Sequence, residues 1–141
     1  MTRSLLNCLP YACLLLATTS ASAGDLQIDL TDIRTHTGTL HMAVVDGPAG
    51  WSNQAKPVQA QSIKAEADQA HFVFKDLPAG DYAVLVTHDE NGNGKLDTNM
   101  LGVPVEGYGF SNNRELMRKP TFEEARVHVP AEGSTITIIL R

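Results

Sequence analysis

The chain has 141 residues, 43% of them hydrophobic and 19% charged, with 16 acidic against 11 basic side chains. That length suits one domain and leaves no room for a two-domain enzyme, and 11 Gly with 7 Pro exclude collagen-like and low-complexity chains. The acidic balance repels phosphate backbones, and no basic stripe with interleaved aromatics offsets it, so no nucleic-acid partner is expected and anionic lipid head groups are disfavoured.

The first segment reads as an export signal. Arg3 supplies a positive start, residues 5–17 are mostly apolar around Leu14, Leu15 and Leu16, and Ala21-Ser22-Ala23 forms an A-x-A cleavage pattern. The apolar part is short for a membrane span, which needs about 20 residues. Residues 1–23 are therefore expected to be a signal peptide and residues 24–141 a single β-sandwich domain, periplasmic or secreted, with no membrane span after cleavage. Cys8 and Cys13 both fall in the signal, and apolar residues follow Cys13 where a lipid-attachment cysteine would end them. The remaining chain has no disulfide, thiol nucleophile or zinc–thiolate site. Without Arg3 its formal charge is −6.

Beyond the signal the dominant period is two. Leu26, Ile28 and Leu30 alternate with Gln27 and Asp29, and Leu40, Met42 and Val44 with His41 and Ala43. Phe72 and Phe74 flank Val73, and Tyr82, Val84 and Val86 alternate with Ala83 and Leu85. Val127 and Val129 follow, then Ile136, Ile138 and Leu140 between Thr137 and Ile139. Each run predicts a half-buried antiparallel strand, and residues 58–63 give a weaker seventh. Thr37-Gly38, Gly47-Pro48, Leu77-Pro78-Ala79-Gly80 and Glu132-Gly133 mark turns between them. Seven short strands with regular turns predict an all-β sandwich. Leu85 and Ile139 interrupt the polar face, which implies that it is partly covered. No run of helical period reaches ten residues, but Thr121-Phe122-Glu123-Glu124 has the pattern of one capped turn.

Two connections are long. Residues 46–57 carry Trp51, the only tryptophan, and residues 89–121 contain no convincing strand. Loops of the second length usually signal function or disorder, and this one has the composition of an ordered loop.

Its first part, Asp89-Glu90-Asn91-Gly92-Asn93-Gly94-Lys95-Leu96-Asp97, reads D-x-N-x-N-G-x-x-D. Alternate oxygen-bearing side chains on a tightly curling chain can converge on one hard cation, with glycine permitting the curl. In that reading Asp89, Asn91, Asn93 and Asp97 offer side-chain oxygens and Lys95 its carbonyl to Ca²⁺. Position twelve is Met100, so the bidentate glutamate of an EF-hand is missing, and Asn99, Glu106 or water would complete the shell. Two carboxylates predict weak binding, on the order of 10⁻⁴–10⁻³ M. Asn91-Gly92 and Asn93-Gly94 are also favoured turn dipeptides, so a metal-free turn fits the same residues.

Catalytic patterns are poor. Ser52, Ser62, Ser111 and Ser134 lie in no G-x-S-x-G, and no H-E-x-x-H occurs. His41, His71 and His128 have outward parity, whereas His88 shares the parity of Val84 and Val86. Trp51, Tyr108 and Phe110, with Asn112 and Asn113, form a candidate ligand surface, although loop aromatics more often plug one end of a sandwich.

The string from His88 to Asn99, followed by Gly102, Pro104 and Glu106-Gly107-Tyr108-Gly109-Phe110-Ser111-Asn112-Asn113, resembles a bacterial secreted family known as domain of unknown function 2141. Phe74-Lys75-Asp76-Leu77-Pro78-Ala79-Gly80-Asp81-Tyr82 and Pro120-Thr121-Phe122-Glu123 share the resemblance. It implies an immunoglobulin-like sandwich in the style of transthyretin-like modules, and brings no activity or catalytic residue. The expected protein is an exported binding or structural envelope module with a weak Ca²⁺ loop, recognising a protein, glycan or small molecule. The alternatives are a small hydrolase using the loop carboxylates and His88, or a metal-free structural module.

Overall fold

The computed structural model describes residues 23–141. The expected signal peptide, residues 1–23, lies outside them except for Ala23, which opens the first strand. In chain order the elements are β1 (Ala23–Thr31), β2 (Thr39–Val45), α1 (Pro48–Trp51), β3 (Gln59–Lys64), β4 (Ala70–Pro78) and β5 (Gly80–Asp89). Then come β6 (Tyr108–Phe110), a 3-10 turn (Ser111–Asn113), α2 (Phe122–Ala125), β7 (Val127–Val129) and β8 (Ser134–Ile139).

Two sheets face each other. One has the order β4-β1-β8, the other β3-β2-β5-β6, with β7 paired to the start of β5. All pairs are antiparallel except β1 with β8, which run in parallel. The period of two is what closes the sandwich, because it sends alternate residues of each strand to one face. Leu26 pairs with Phe74 and Ile28 with Phe72 on one sheet, while Met42 pairs with Val86 and Val44 with Val84 on the other. These residues meet in one core, none of them more than 2% exposed. Burying each such side chain contributes about 1.5–3 kcal/mol, and the core stands without cross-links.

The turn joining β4 to β5 is fastened by its own residues. Leu77 is fully buried, and the Tyr82 hydroxyl donates to the Pro78 carbonyl at 2.7 Å, four residues upstream.

All six strongly alternating strands and the weaker seventh occur. The eighth, β6, is a correction: it lies in the connection that the sequence left without a strand. Three residues with Gly109 at the centre carry too little alternation to be recognised, and the pairing of Tyr108 with Thr87 and Phe110 with Leu85 is what defines them. The expected capped turn is α2, with both halves of the capping box formed between Thr121 and Glu124.

The outer face of the larger sheet is covered at one end, as Leu85 implied. Val45, Trp51, Ala83, Phe122 and Ala125 form a second small core there, with Leu85 and Phe110 packed against it. Trp51 Nε1–H donates to the Pro120 carbonyl at 2.7 Å, and Ser111 links the Val84 amide to the Ala125 carbonyl. The other end of that face is left open. Ile139, on the outer side of the smaller sheet, is 40% exposed. Among the described residues no helix is long and apolar enough to cross a membrane.

Candidate functional site

The loop begins where β5 runs out of partners. Asp89 is its last residue and is buried, and its carboxylate collects three backbone N–H groups from the chain curling past it. Oδ1 accepts from Gly92 at 2.8 Å and from Asn93 at 3.0 Å, and Oδ2 accepts from Gly94 at 2.8 Å. The curl needs φ of +78° at Gly92 and +76° at Gly94, values that a side chain would resist. These donors, Gly94 first, hold the Asp89 carboxyl below the usual carboxylate range against the opposing effect of its burial.

Asp97 is the second hub. Asn91 Nδ2 donates to it at 2.7 Å, and Asn93 Nδ2 lies 3.0 Å from each of its oxygens. The amide oxygens of the same asparagines accept the N–H groups of Asn93 and Lys95, at 3.0 and 2.9 Å. Thus Asn91, Asn93 and Asp97 come together, and the Asp89 carboxylate cradles the chain between them. Lys95 sits on the same curl with its N–H engaged and its side chain exposed.

Residues 97–105 then form a small hairpin. Val105 N–H donates to the Asp97 carbonyl, Asn99 N–H to the Val103 carbonyl, and Thr98 bridges Pro104. Asn99 Oδ1 accepts from Leu101 and Val103, so this side chain shapes the tip. Met100 and Leu101 at that tip stand almost entirely in solvent.

Glu106 is the buried acid of the loop. It is 5% exposed; its Oε1 accepts from the Glu90 amide at 3.0 Å and its Oε2 from the Asp97 amide at 2.9 Å. One carboxylate therefore ties both ends of the curl. Glu90 Oε1 in turn accepts from Gly107 N–H at 3.2 Å and from Arg34 at 3.3 Å. At the sequence level Glu106 could be named as a supplementary ligand, but its bridging role depends on the hairpin bringing it back.

His88 is sealed beneath this network at 1% exposure. Its Nε2 lies 2.7 Å from the Thr37 carbonyl, which can only accept, so Nε2 carries the proton. Nδ1 is buried without a hydrogen-bond partner, 4.0 Å from Glu90 Oε1. At this burial the His88 ring is shielded from solvent, and the loop carboxylates named with it in the hydrolase alternative are engaged by backbone and asparagine N–H groups. The outward histidines are each taken up by a neighbour: His41 by Ser62, His71 by Asp29 and His128 by Asp81.

The aromatic residues divide between the two roles weighed for them. Trp51 is 6% exposed and plugs the covered end. Phe110 lies 5.6 Å from it and Tyr108 5.7 Å from Phe110, in a tilted row that leads onto the open part of the outer face. Asn112 donates to the Glu124 carbonyl, while Asn113 donates to the Thr137 carbonyl and accepts from Ile139 N–H. Both asparagines thus fasten the 3-10 turn to its neighbours.

The described residues contain no group of three His, Cys, Asp or Glu placed to hold a metal. A cation here would depend on asparagine and backbone oxygens beside Asp89 and Asp97, a donor set suited to a hard ion of flexible coordination such as Ca²⁺.

Residues 28–137 match the family model described as an uncharacterized protein conserved in bacteria (DUF2141). No curated protein and no solved structure matches the chain.

Proposed function

Because the chain belongs to the DUF2141 family of bacterial proteins, whose description names no activity, we propose a function from its own residues. The protein is an exported binding module, periplasmic or secreted, whose long loop takes up a weakly held Ca²⁺ at Asp89, Asn91, Asn93, Lys95 and Asp97.

One observation carries this reading: both asparagine amides converge on the Asp97 carboxylate. Rotating each terminal amide by half a turn aims two oxygens at that carboxylate and gives up the bonds that those oxygens accept from the Asn93 and Lys95 N–H groups. Such an arrangement is repulsive unless a cation lies between them. The same side chains therefore support a metal-free loop with the asparagines as donors and a metal-bound loop with them as ligands. The Asp89 carboxylate accepts three N–H groups out of about four lone-pair sites, so one site is left for an ion.

Thermal unfolding tests the metal. With binding on the order of 10⁻⁴–10⁻³ M, roughly 10 mM Ca²⁺ adds about 1.4–2.7 kcal/mol by mass action and raises the melting temperature by several degrees. Mg²⁺ produces less, because it demands a stricter octahedron. Asp97→Asn abolishes the shift. Melting that is identical in Ca²⁺ and in chelator refutes the metal reading and leaves the loop as a self-sufficient turn.

A further inference from the structure

The open end of the outer face holds a groove of about 520 Å³ that neither the core nor the loop chemistry uses. Ala43, Leu85 and Phe110 contribute to its apolar surface, with Tyr108 and Leu96 lining it as well. His41 and Ser62, 2.7 Å apart, add a polar rim. Its size falls in the range of small-molecule sites, which are mostly apolar with a few polar groups that orient the ligand.

The polar group of interest is Lys119, which also lines the groove. Its ammonium donates to the Trp51 carbonyl at 2.7 Å and lies 4.7 Å from the Trp51 ring centroid. Lys119 is exposed as a residue, but the part of it packed against Trp51 is desolvated enough to push its ammonium below the usual lysine range. Among the described residues it has no ion pair, whereas Arg118 is paired with Glu124 and Arg126 with Glu123 and Asp81. The carboxylates of the neighbouring turn are thus already engaged. A partly desolvated cation beside apolar surface, in a chain of net negative charge, has donors left for an anion.

We propose that this groove binds a small amphipathic carboxylate, its acyl or aryl body against Leu85, Phe110 and Tyr108 and its carboxylate on the Lys119 ammonium. The inference goes beyond the metal reading and does not depend on it, since the floor belongs to the sheet. The rim histidine and serine lie on β2 and β3, away from the acid-binding end, and leave room for a polar substituent at the far end of the ligand.

Trp51 is the only tryptophan, so its emission reports on the Lys119 end of the groove without a label. The full exported chain is titrated with octanoate, and in parallel with 1-octanol, in Ca²⁺ and again in chelator. Saturable change of Trp51 emission with octanoate is expected below about 1 mM, with octanol at least tenfold weaker, as loss of a charge-assisted hydrogen bond implies. Lys119→Met keeps the aliphatic stem and brings octanoate down to the octanol level. Ala43→Leu fills the floor and weakens both ligands. Circular dichroism and a cooperative melt show that each variant is folded, and the octanoate–octanol comparison on the unaltered protein needs no variant. Absence of saturable octanoate binding in both Ca²⁺ and chelator overturns the proposal. So does equal binding of acid and alcohol, or unchanged octanoate affinity in folded Lys119→Met. Loss of the calcium effect on melting, with octanoate binding intact, refutes only the metal reading.

Discussion

Glu106→Gln isolates the bridge on which the loop depends. The native carboxylate is buried and gives one oxygen to the Glu90 amide and the other to the Asp97 amide, at 3.0 and 2.9 Å. Glutamine keeps the shape but offers one oxygen and one NH₂, so one backbone N–H is left facing a second donor. The other amide exchanges a charged acceptor for a neutral one. A hydrogen bond to a charged group contributes about 1.5–3 kcal/mol and an orphaned buried donor costs about 1–3 kcal/mol, which places the loss in loop closure near 3 kcal/mol. Amide hydrogen exchange reads that loss locally: protection at Glu90 and Asp97 should fall about 100-fold, since each factor of ten corresponds to about 1.4 kcal/mol. The melting temperature moves less, because the effect on global stability is capped by the free energy of opening the loop alone. The measurement is made in chelator, so that no cation compensates. Exchange at both amides within about threefold of the unaltered protein would refute the bridging argument.

The remaining predictions concern acid and the turn between β4 and β5. The Asp89 carboxyl is held low by the Gly94, Asn93 and Gly92 amides, and that of Glu124 is lowered to about 2 chiefly by Arg118, so each binds protons less readily folded than unfolded. Their stabilisation is therefore complete above the unfolded values, 3.8 and 4.5, and is lost as pH falls toward the folded ones. Urea midpoints measured down to about pH 2 should decline, less steeply in Asp89→Asn and Glu124→Gln; an acid slope unchanged in both variants contradicts the assignment. Tyr82→Phe removes the hydroxyl that donates to Pro78 and should cost about 1 kcal/mol in urea unfolding with an unchanged slope. No loss would show that the turn is held by Leu77 alone.

The sandwich was legible because its signal is redundant. Leu26, Ile28 and Leu30 repeat the same instruction three times, Phe72 and Phe74 repeat it on the paired strand, and Met42 and Val86 on the facing sheet. β6 was not legible, since Tyr108-Gly109-Phe110 is too short to alternate and takes its extended form from the edge of β5. The closeness of Asn91, Asn93 and Asp97 follows from the sequence spacing, because a short curl brings alternate side chains together regardless of the rest of the fold and of any bound ion. The spacing could not assign Asn99 to the hairpin tip or Glu106 to the bridge, because those roles depend on where the chain returns. Lys119 escaped notice for the same reason. Nothing in Arg118-Lys119-Pro120 indicates a groove, which is assembled from residues of β2, β3, β5 and β6 together with a lysine that reaches back to the Trp51 carbonyl, 68 residues upstream.

The loop and the groove share a wall, and that sharing limits how strongly one can control the other. Leu96 stands between two proposed calcium ligands and also lines the groove, while Tyr108 follows directly on Glu106 and Gly107. Thermodynamic linkage requires that whatever factor Ca²⁺ applies to carboxylate affinity, the carboxylate applies to Ca²⁺ affinity. The size of that factor depends on what is left for the ion to order. Three amides bind Asp89, two bind Glu106, and the hairpin closes on its own backbone, so the protein's own hydrogen bonds tie this wall together. The rearrangement assigned to the ion is the rotation of the Asn91 and Asn93 amides, neither of which lines the groove. Coupling should therefore fall at or below the weak end of the usual range, about fivefold. Coupling well above that would mean that the ion, rather than Asp89 and Glu106, holds the wall in place.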